Sequence, residues 1–262
     1  MPAGTREKFL EEERVLARGR ELAEKVGKKR AEVSGDLGAL FGIDRVACVY
    51  GWSMGALQAY HWAAMFPDAV ERIVVNCGVA CTSIHNQVFL RGLMATLEAA
   101  PEHIGNGRFT QEPRAALRAF GRIYAGWALS QTFYRREMWR GLGFASLEDF
   151  LVRSWEASFL RRDARDLMAQ LWTWQNGDIA SLPLHGGDLG RALASISAKV
   201  LLMPSATDLY FQTDDNRAEL PHLRHGTLVE IPSVWGHRAG NPLANPEDQA
   251  FLDAQVKALL DA

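Results

Sequence analysis

The stretch Arg45-Val-Ala-Cys-Val-Tyr-Gly-Trp-Ser-Met-Gly55 constrains this chain more than any other. An apolar, β-branched run leads into Gly51-x-Ser53-x-Gly55, and the next residues, Ala56 to Met65, read as a helix. A strand, a sharp turn and a helix in that order predict Ser53 at a strained corner, with its hydroxyl raised above the end of a sheet. Gly51 and Gly55 are expected to let neighbouring segments approach the turn where a Cβ would obstruct them. Three fixed positions alone are weakly specific; the strand before and the helix after carry the inference.

The rest of the chain repeats the theme. Phe66-Pro67-Asp68 ends the helix, and Arg72 to Cys77 reads as a second buried strand, so that helix and strands suggest a right-handed parallel crossover. Two further strands are expected, from Lys199 to Pro204 and from Thr227 to Pro232, each followed by an acid or base: Asp208 after the first, His237 after the second. Between them, residues 87–195 hold several helical patterns, no convincing strand and five tryptophans, Trp127, Trp139, Trp155, Trp172 and Trp174. Most of these aromatics are expected in a core, a few in a pocket. Pro246 to Leu260 reads as an amphipathic closing helix, and residues 5–33 as a charged one. The expected class is α/β: a mostly parallel sheet flanked by helices, formed by residues 36–86 and 196–262. A helical lid is expected over 87–195 and a charged helix within 1–35.

Composition excludes some functions. The 262 residues carry 29 Lys and Arg against 31 Asp and Glu, so no bulk field favours nucleic acid or an anionic membrane. No apolar run is long enough to cross a bilayer, residues 1–35 lack a signal-peptide core, and three cysteines cannot all pair, which together suit a cytoplasmic setting.

Ser53, Asp208 and His237 stand in the order nucleophile, acid, base, each after an expected strand. A serine hydroxyl needs a base to become a nucleophile; His237 is the candidate, and Asp208 would hold its ring and stabilise the imidazolium. The backbone N–H of Met54 would be one oxyanion donor. Asp214, Asp215, His222 and His225 fit strand ends less well, and His61 has no such context. No His, Cys and carboxylate group has metal-ligand spacing, so no metal is expected. Trp52, His85, Asn86, Arg135 and Trp235 are the candidate substrate contacts. The pairs Arg135-Arg136 and Arg161-Arg162 could hold a carboxylate through a guanidinium fork, or be solvated surface. His185-Gly-Gly-Asp188 reads as a turn, since an oxyanion loop belongs before the nucleophile strand.

Gly51-Trp-Ser-Met-Gly-Ala-Leu-Gln-Ala-Tyr-His-Trp-Ala63, Thr82-Ser-Ile-His-Asn86, Asp163-Ala-Arg-Asp166, Thr207-Asp-Leu-Tyr210 and Trp235-Gly-His237 resemble the homoserine O-acetyltransferase-like branch of the α/β-hydrolases, over residues 36–262. The resemblance implies transfer of an acyl group through an acyl-serine, with a small-molecule acyl substrate, acetyl-CoA as a possible donor and no tightly held cofactor. Asp163-Ala-Arg-Asp166 departs from the Asp-Ala-Asn-Ser of the homoserine enzymes. Members of the branch also carry first strands and a second oxyanion donor ahead of the nucleophile strand, where this chain has a charged helix. The N-terminal part of the sheet is therefore expected to be missing, leaving an open strand edge suited to self-association. Three readings stay open: an acyl hydrolase or acyltransferase, a shortened and weakly active or inactive relative, and an interaction protein whose partner completes the sheet.

Overall fold

The computed structural model describes residues 44–242 and 245–262; the charged helix read over 5–33 lies outside them. The chain divides into two compact units, Met1–Val46 and Ala47–Ala262, and the second carries every element named below.

Four strands, β1 (Val49–Trp52), β2 (Arg72–Asn76), β3 (Lys199–Met203) and β4 (Gly226–Leu228), form one parallel sheet in that spatial order. Val49 pairs with Ile73, Ile73 with Val200, and Val200 with Gly226. Parallel strands put all their carboxyl ends on one side, so the segments after each strand share one rim. β4 is shorter than the expected Thr227–Pro232. Pairing resumes past it at a parallel bridge between Ser205 and Ile231, where the Ile231 N–H donates to the Pro204 carbonyl at 2.8 Å and the Ala206 N–H to the Ile231 carbonyl at 3.0 Å; in the gap before it Pro204 has no N–H to offer the facing strand.

Side chains of β2 and β3 alternate between two apolar layers. Ile73, Val75, Val200 and Leu202 pack with Ala56, Ala59, Tyr60 and Ala63 of α1 (Met54–Met65). Val74, Leu201 and Met203 face the other way, against Leu252, Phe251 and Val256 of α10 (Pro246–Asp261). Helices cover both faces, which explains why the strands read as continuous apolar runs rather than alternating ones. The small residues of α1 let it sit close on the sheet.

Between β2 and β3 the described residues form helices and no named strand: α2 (Ile84–Glu98), α3 (Arg114–Ala128), α4 (Gln131–Arg135), α5 (Leu147–Phe150), α6 (Ala157–Phe159), α7 (Ala164–Gln175) and α8 (Leu189–Ala194). A π-helical turn, Leu151–Glu156, joins α5 to α6. Phe89, Leu93, Leu117, Phe120, Leu167 and Leu171 make their own core with Tyr210 and Phe211. Of the five tryptophans here, Trp139 and Trp174 are buried, Trp127 and Trp155 partly so, and Trp172 is exposed. Asp163-Ala-Arg-Asp166 proves to be the start of α7: the Asp163 carboxylate caps the Arg165 N–H at 2.8 Å and pairs with its guanidinium. The helix α9 (Thr213–Glu219) bridges β3 and β4. No helix among the described residues is long and apolar enough to cross a membrane.

Candidate active site

Ser53 stands between β1 and α1 with φ 59° and ψ −126°, a left-handed conformation that costs a non-glycine residue about 1–3 kcal/mol. Its surroundings hold it there. Its N–H donates to the Asn76 carbonyl at 3.0 Å, and its own carbonyl accepts from the Ala56 N–H at 2.9 Å. A Cβ at Gly51 would lie 2.0 Å from the Gly55 carbonyl oxygen, and one at Gly78 would lie 2.3 Å from the Ala56 Cβ. The expectation for Gly55 was wrong: a Cβ there meets nothing within 4 Å among the described residues, because it points away from the crossing. Gly78, which no sequence signal singled out, is the second glycine that the turn needs. Ser53 is the N-cap of α1 yet makes no side-chain cap bond, so its hydroxyl is not spent on the helix.

Asp208 and His237 are both buried, and the Asp208 Oδ2 lies 2.7 Å from the His237 Nδ1. The other carboxylate oxygen accepts from the backbone N–H groups of Tyr210 at 2.8 Å and Phe211 at 3.3 Å. Asp208 therefore cannot rotate away from the ring without losing two further bonds. The two loops are tied: Thr207 Oγ donates to the Ser233 carbonyl at 2.9 Å and accepts from the Gly236 N–H at 3.0 Å. Ser233 in turn donates to Asp248 of α10 at 2.6 Å.

The imidazole is walled by aromatic rings. Trp52 stacks on it at 5.0 Å, Tyr210 meets it edge-on at 4.9 Å, and Phe211 lies at 5.5 Å. Trp52 also donates its indole N–H to the His237 carbonyl at 3.3 Å. Trp52, expected to contact substrate, also packs on His237. Its position beside the nucleophile motif hid this, because the histidine it touches lies 185 residues away.

Of the other expected contacts, Asn86 is fully buried and both polar atoms of its amide lack a partner among the described residues. His85 is exposed on the first turn of α2, its ring 5.0 Å from that of Trp127. Arg135 is exposed on α4 and lines no part of the cavity beside the His237 turn. Trp235 does line that cavity, which encloses about 400 Å³, and packs edge-on against Phe133 at 5.1 Å. His61 turns back to the Leu57 carbonyl of its own helix, and Gly186 and Gly187 adopt the positive φ of a turn, as read.

Sequence spacing also missed Cys77, which follows β2 with a φ of 44°. Its sulfur, an Asp208 oxygen and a His237 nitrogen lie within 4.8 Å of one another, a grouping that could in principle hold a metal ion. The donor set argues otherwise. Asp208 and His237 are committed to each other, and burial first, then the Asp208 charge, push the Cys77 thiol well above its ordinary range, away from the thiolate that a metal needs.

No protein-family model matches the chain. It is 35% identical over 199 residues to a probable esterase of Corynebacterium glutamicum, covering 75% of this chain and 56% of that protein. It is 32% identical over 225 residues to an ethyl acetate hydrolase of Pseudomonas veronii, covering 85% of this chain and 63% of that one. The chain therefore spans less than two thirds of the length of these relatives. Among solved structures, an acetylester hydrolase from Corynebacterium glutamicum superposes with a TM-score of 0.80 at 32% identity, over 86% of this chain and 64% of that one. Homoserine O-acetyl- and O-succinyltransferases match at lower identity, as with the 29% over 219 residues shared with the acetyltransferase of Rhodopseudomonas palustris. A strained serine between strand and helix, an Asp–His pair on the same rim and these likenesses agree, and the chain belongs to the α/β-hydrolase superfamily, in its homoserine O-acetyltransferase-like branch.

Proposed function

We propose that this chain is a serine-dependent hydrolase of short acyl esters that carries the acyl group on Ser53. The observation that carries the reading is the strained Ser53, its hydroxyl unspent on capping, on the rim that also bears the hydrogen-bonded Asp208 and His237. In the proposed cycle, Ser53 Oγ attacks the ester carbonyl while His237 Nε2 takes its proton. Nδ1–H stays bonded to the Asp208 carboxylate, which stabilises the imidazolium. The alcohol leaves with that proton, water then attacks the acyl-serine with His237 again as base, and the acid departs. The Met54 N–H, first in α1, adds the partial positive charge of a helix start where the oxyanion develops.

Hydrolysis is favoured over transfer because the relatives above 30% identity are named for esterase or ethyl acetate hydrolase activity. The homoserine transferases stand at 26–29%. Departure from their pattern at Asp163-Ala-Arg-Asp166 points the same way. Acetyl-CoA as donor to a hydroxyl acceptor is the second reading, and neither needs a tightly bound cofactor.

A fluorophosphonate probe with adduct mapping tests the mechanism. Folded protein should be labelled at Ser53 and a Ser53→Ala variant should not; no adduct on Ser53 overturns the acyl-enzyme reading. Acetate release from ethyl acetate, compared with release from acetyl-CoA with and without hydroxyl acceptors, separates the two activities. Acceptor-dependent release from acetyl-CoA alone would replace hydrolysis by transfer.

A further inference from the structure

We propose that the cavity beside the His237 turn binds a small monocarboxylate with an apolar body. Its 400 Å³ or so suits a ligand of modest size, and its walls include three arginines and no acidic side chain. Arg238 is half-buried, and neither it nor Arg161 has an ion-pair or hydrogen-bonding side-chain partner among the described residues. Arg153, the third, is shared with Asp149 at 3.0 Å. A guanidinium drawn out of water without a counter-charge is unfavourable, and burial accordingly lowers the Arg238 pKa.

Trp155 lines the cavity with its ring, its indole nitrogen being buried behind that surface without an acceptor among the described residues. It comes from the π-helical turn Leu151–Glu156, which also brings Arg153 to the wall; such turns recur at functional sites. Phe144 and Trp235 complete an apolar wall. One inner cation with aromatic surroundings matches a single negative charge on an apolar body better than a dianion, and a guanidinium fork fits a planar carboxylate. Trp235 and Arg238 bracket His237 in the chain, so the ligand would sit against the segment that carries the base. The site is independent of the proposed acyl chemistry, because binding can be read without turnover.

Isothermal titration of the full chain with 4-phenylbutyrate, hexanoate and the neutral 4-phenylbutanamide tests it. At least one carboxylate should bind saturably, and phenylbutyrate about ten- to a hundredfold more tightly than its amide, as expected for a charge-assisted bond. Arg238→Gln and Arg161→Gln should each erode that preference while leaving amide binding and the circular dichroism spectrum unchanged. Absence of saturable binding of both acids up to about 10 mM, a range that still detects very weak complexes, overturns the proposal. So does equal binding of acid and amide, or a preference that survives the double Arg161→Gln/Arg238→Gln variant. Inhibition of ester hydrolysis then identifies the source: a competitive pattern makes the carboxylate part of the substrate, a non-competitive one a separate ligand.

Discussion

Glu219 should make this protein less stable as pH rises towards neutrality. Its side chain is 5% exposed and accepts from the Ala80 N–H at 2.7 Å, the Tyr60 hydroxyl at 2.9 Å and the Asn216 amide at 3.1 Å. Those donors favour the carboxylate, but burial outweighs them and the nearby Asp215 adds to it, so the carboxyl is pushed up from 4.5 to about 7. In the unfolded chain the group loses its proton near 4.5, while the folded protein holds it until about 7. The stabilisation is therefore fully present below 4.5 and lost as pH rises to about 7. Relative to the fully protonated state, linkage gives a loss of about 0.8 kcal/mol at pH 5 and about 3.3 kcal/mol at pH 8. The difference, about 2.5 kcal/mol, is an order-of-magnitude figure set by those two pKa values. Glu219→Gln keeps the size and removes the titration. Urea unfolding of both proteins at pH 5 and pH 8 reads the effect, since other titrating groups cancel in the comparison. The wild type should lose about 2.5 kcal/mol relative to the variant between the two pH values, with unchanged m-values. A gap between wild type and variant that is the same at both pH values would refute the reasoning, whatever its absolute size.

Three further outcomes follow from the site. Asp208→Asn should lower the rate of ester hydrolysis by about three to four orders of magnitude, because the amide no longer selects the tautomer that leaves Nε2 free to accept; a loss under tenfold in steady-state assays would remove Asp208 from the proposed role. Gly51→Ala should give insoluble or strongly destabilised protein, its new Cβ 2.0 Å from a backbone oxygen, whereas Gly55→Ala should raise the melting temperature slightly, by about 0.5–1 kcal/mol of helix propensity. Thermal melts that rank the two the other way would overturn this account of the turn. Iodoacetamide at pH 8 should leave hydrolysis intact, since burial pushes Cys81 up to about 12 and Cys77 well above its ordinary range; rapid inactivation that tracks an adduct on Cys77 would contradict it.

Local pattern made the frame legible. Apolar runs of strand length followed by turn residues located β1, β2 and β3, and a helix between two of them implied parallel pairing. β4 was located but overextended, because a proline on the facing strand interrupts the ladder and pairing partners are not written in a strand's own sequence. The placement of Ser53, Asp208 and His237 after strands was legible for the same reason: strand ends in a parallel sheet share a rim, so three local readings suffice to put three distant residues on one side of it.

Contacts between those segments were not legible. Trp52 lies next to Ser53 in sequence, but that its ring stacks on His237 depends on the turn after β4. Gly55 belongs to the motif and Gly78 does not, yet it is Gly78 whose Cβ would strike α1. The arginine pairs offered two places for an anion; both Arg135 and Arg161 are exposed, and only the packing around them shows that Arg161 lines a cavity with Arg238 while Arg135 does not.

By itself, then, the sequence determined the parallel α/β frame, the turn at Ser53 and the strand-end positions of Asp208 and His237, because periodicity and turn chemistry act between residues close along the chain. Tertiary structure decided which glycines are required, what supports His237, where Cys77 lies and which arginines are left without a counter-charge. Those depend on excluded volume and on loss of water, and both exist only once distant segments have packed.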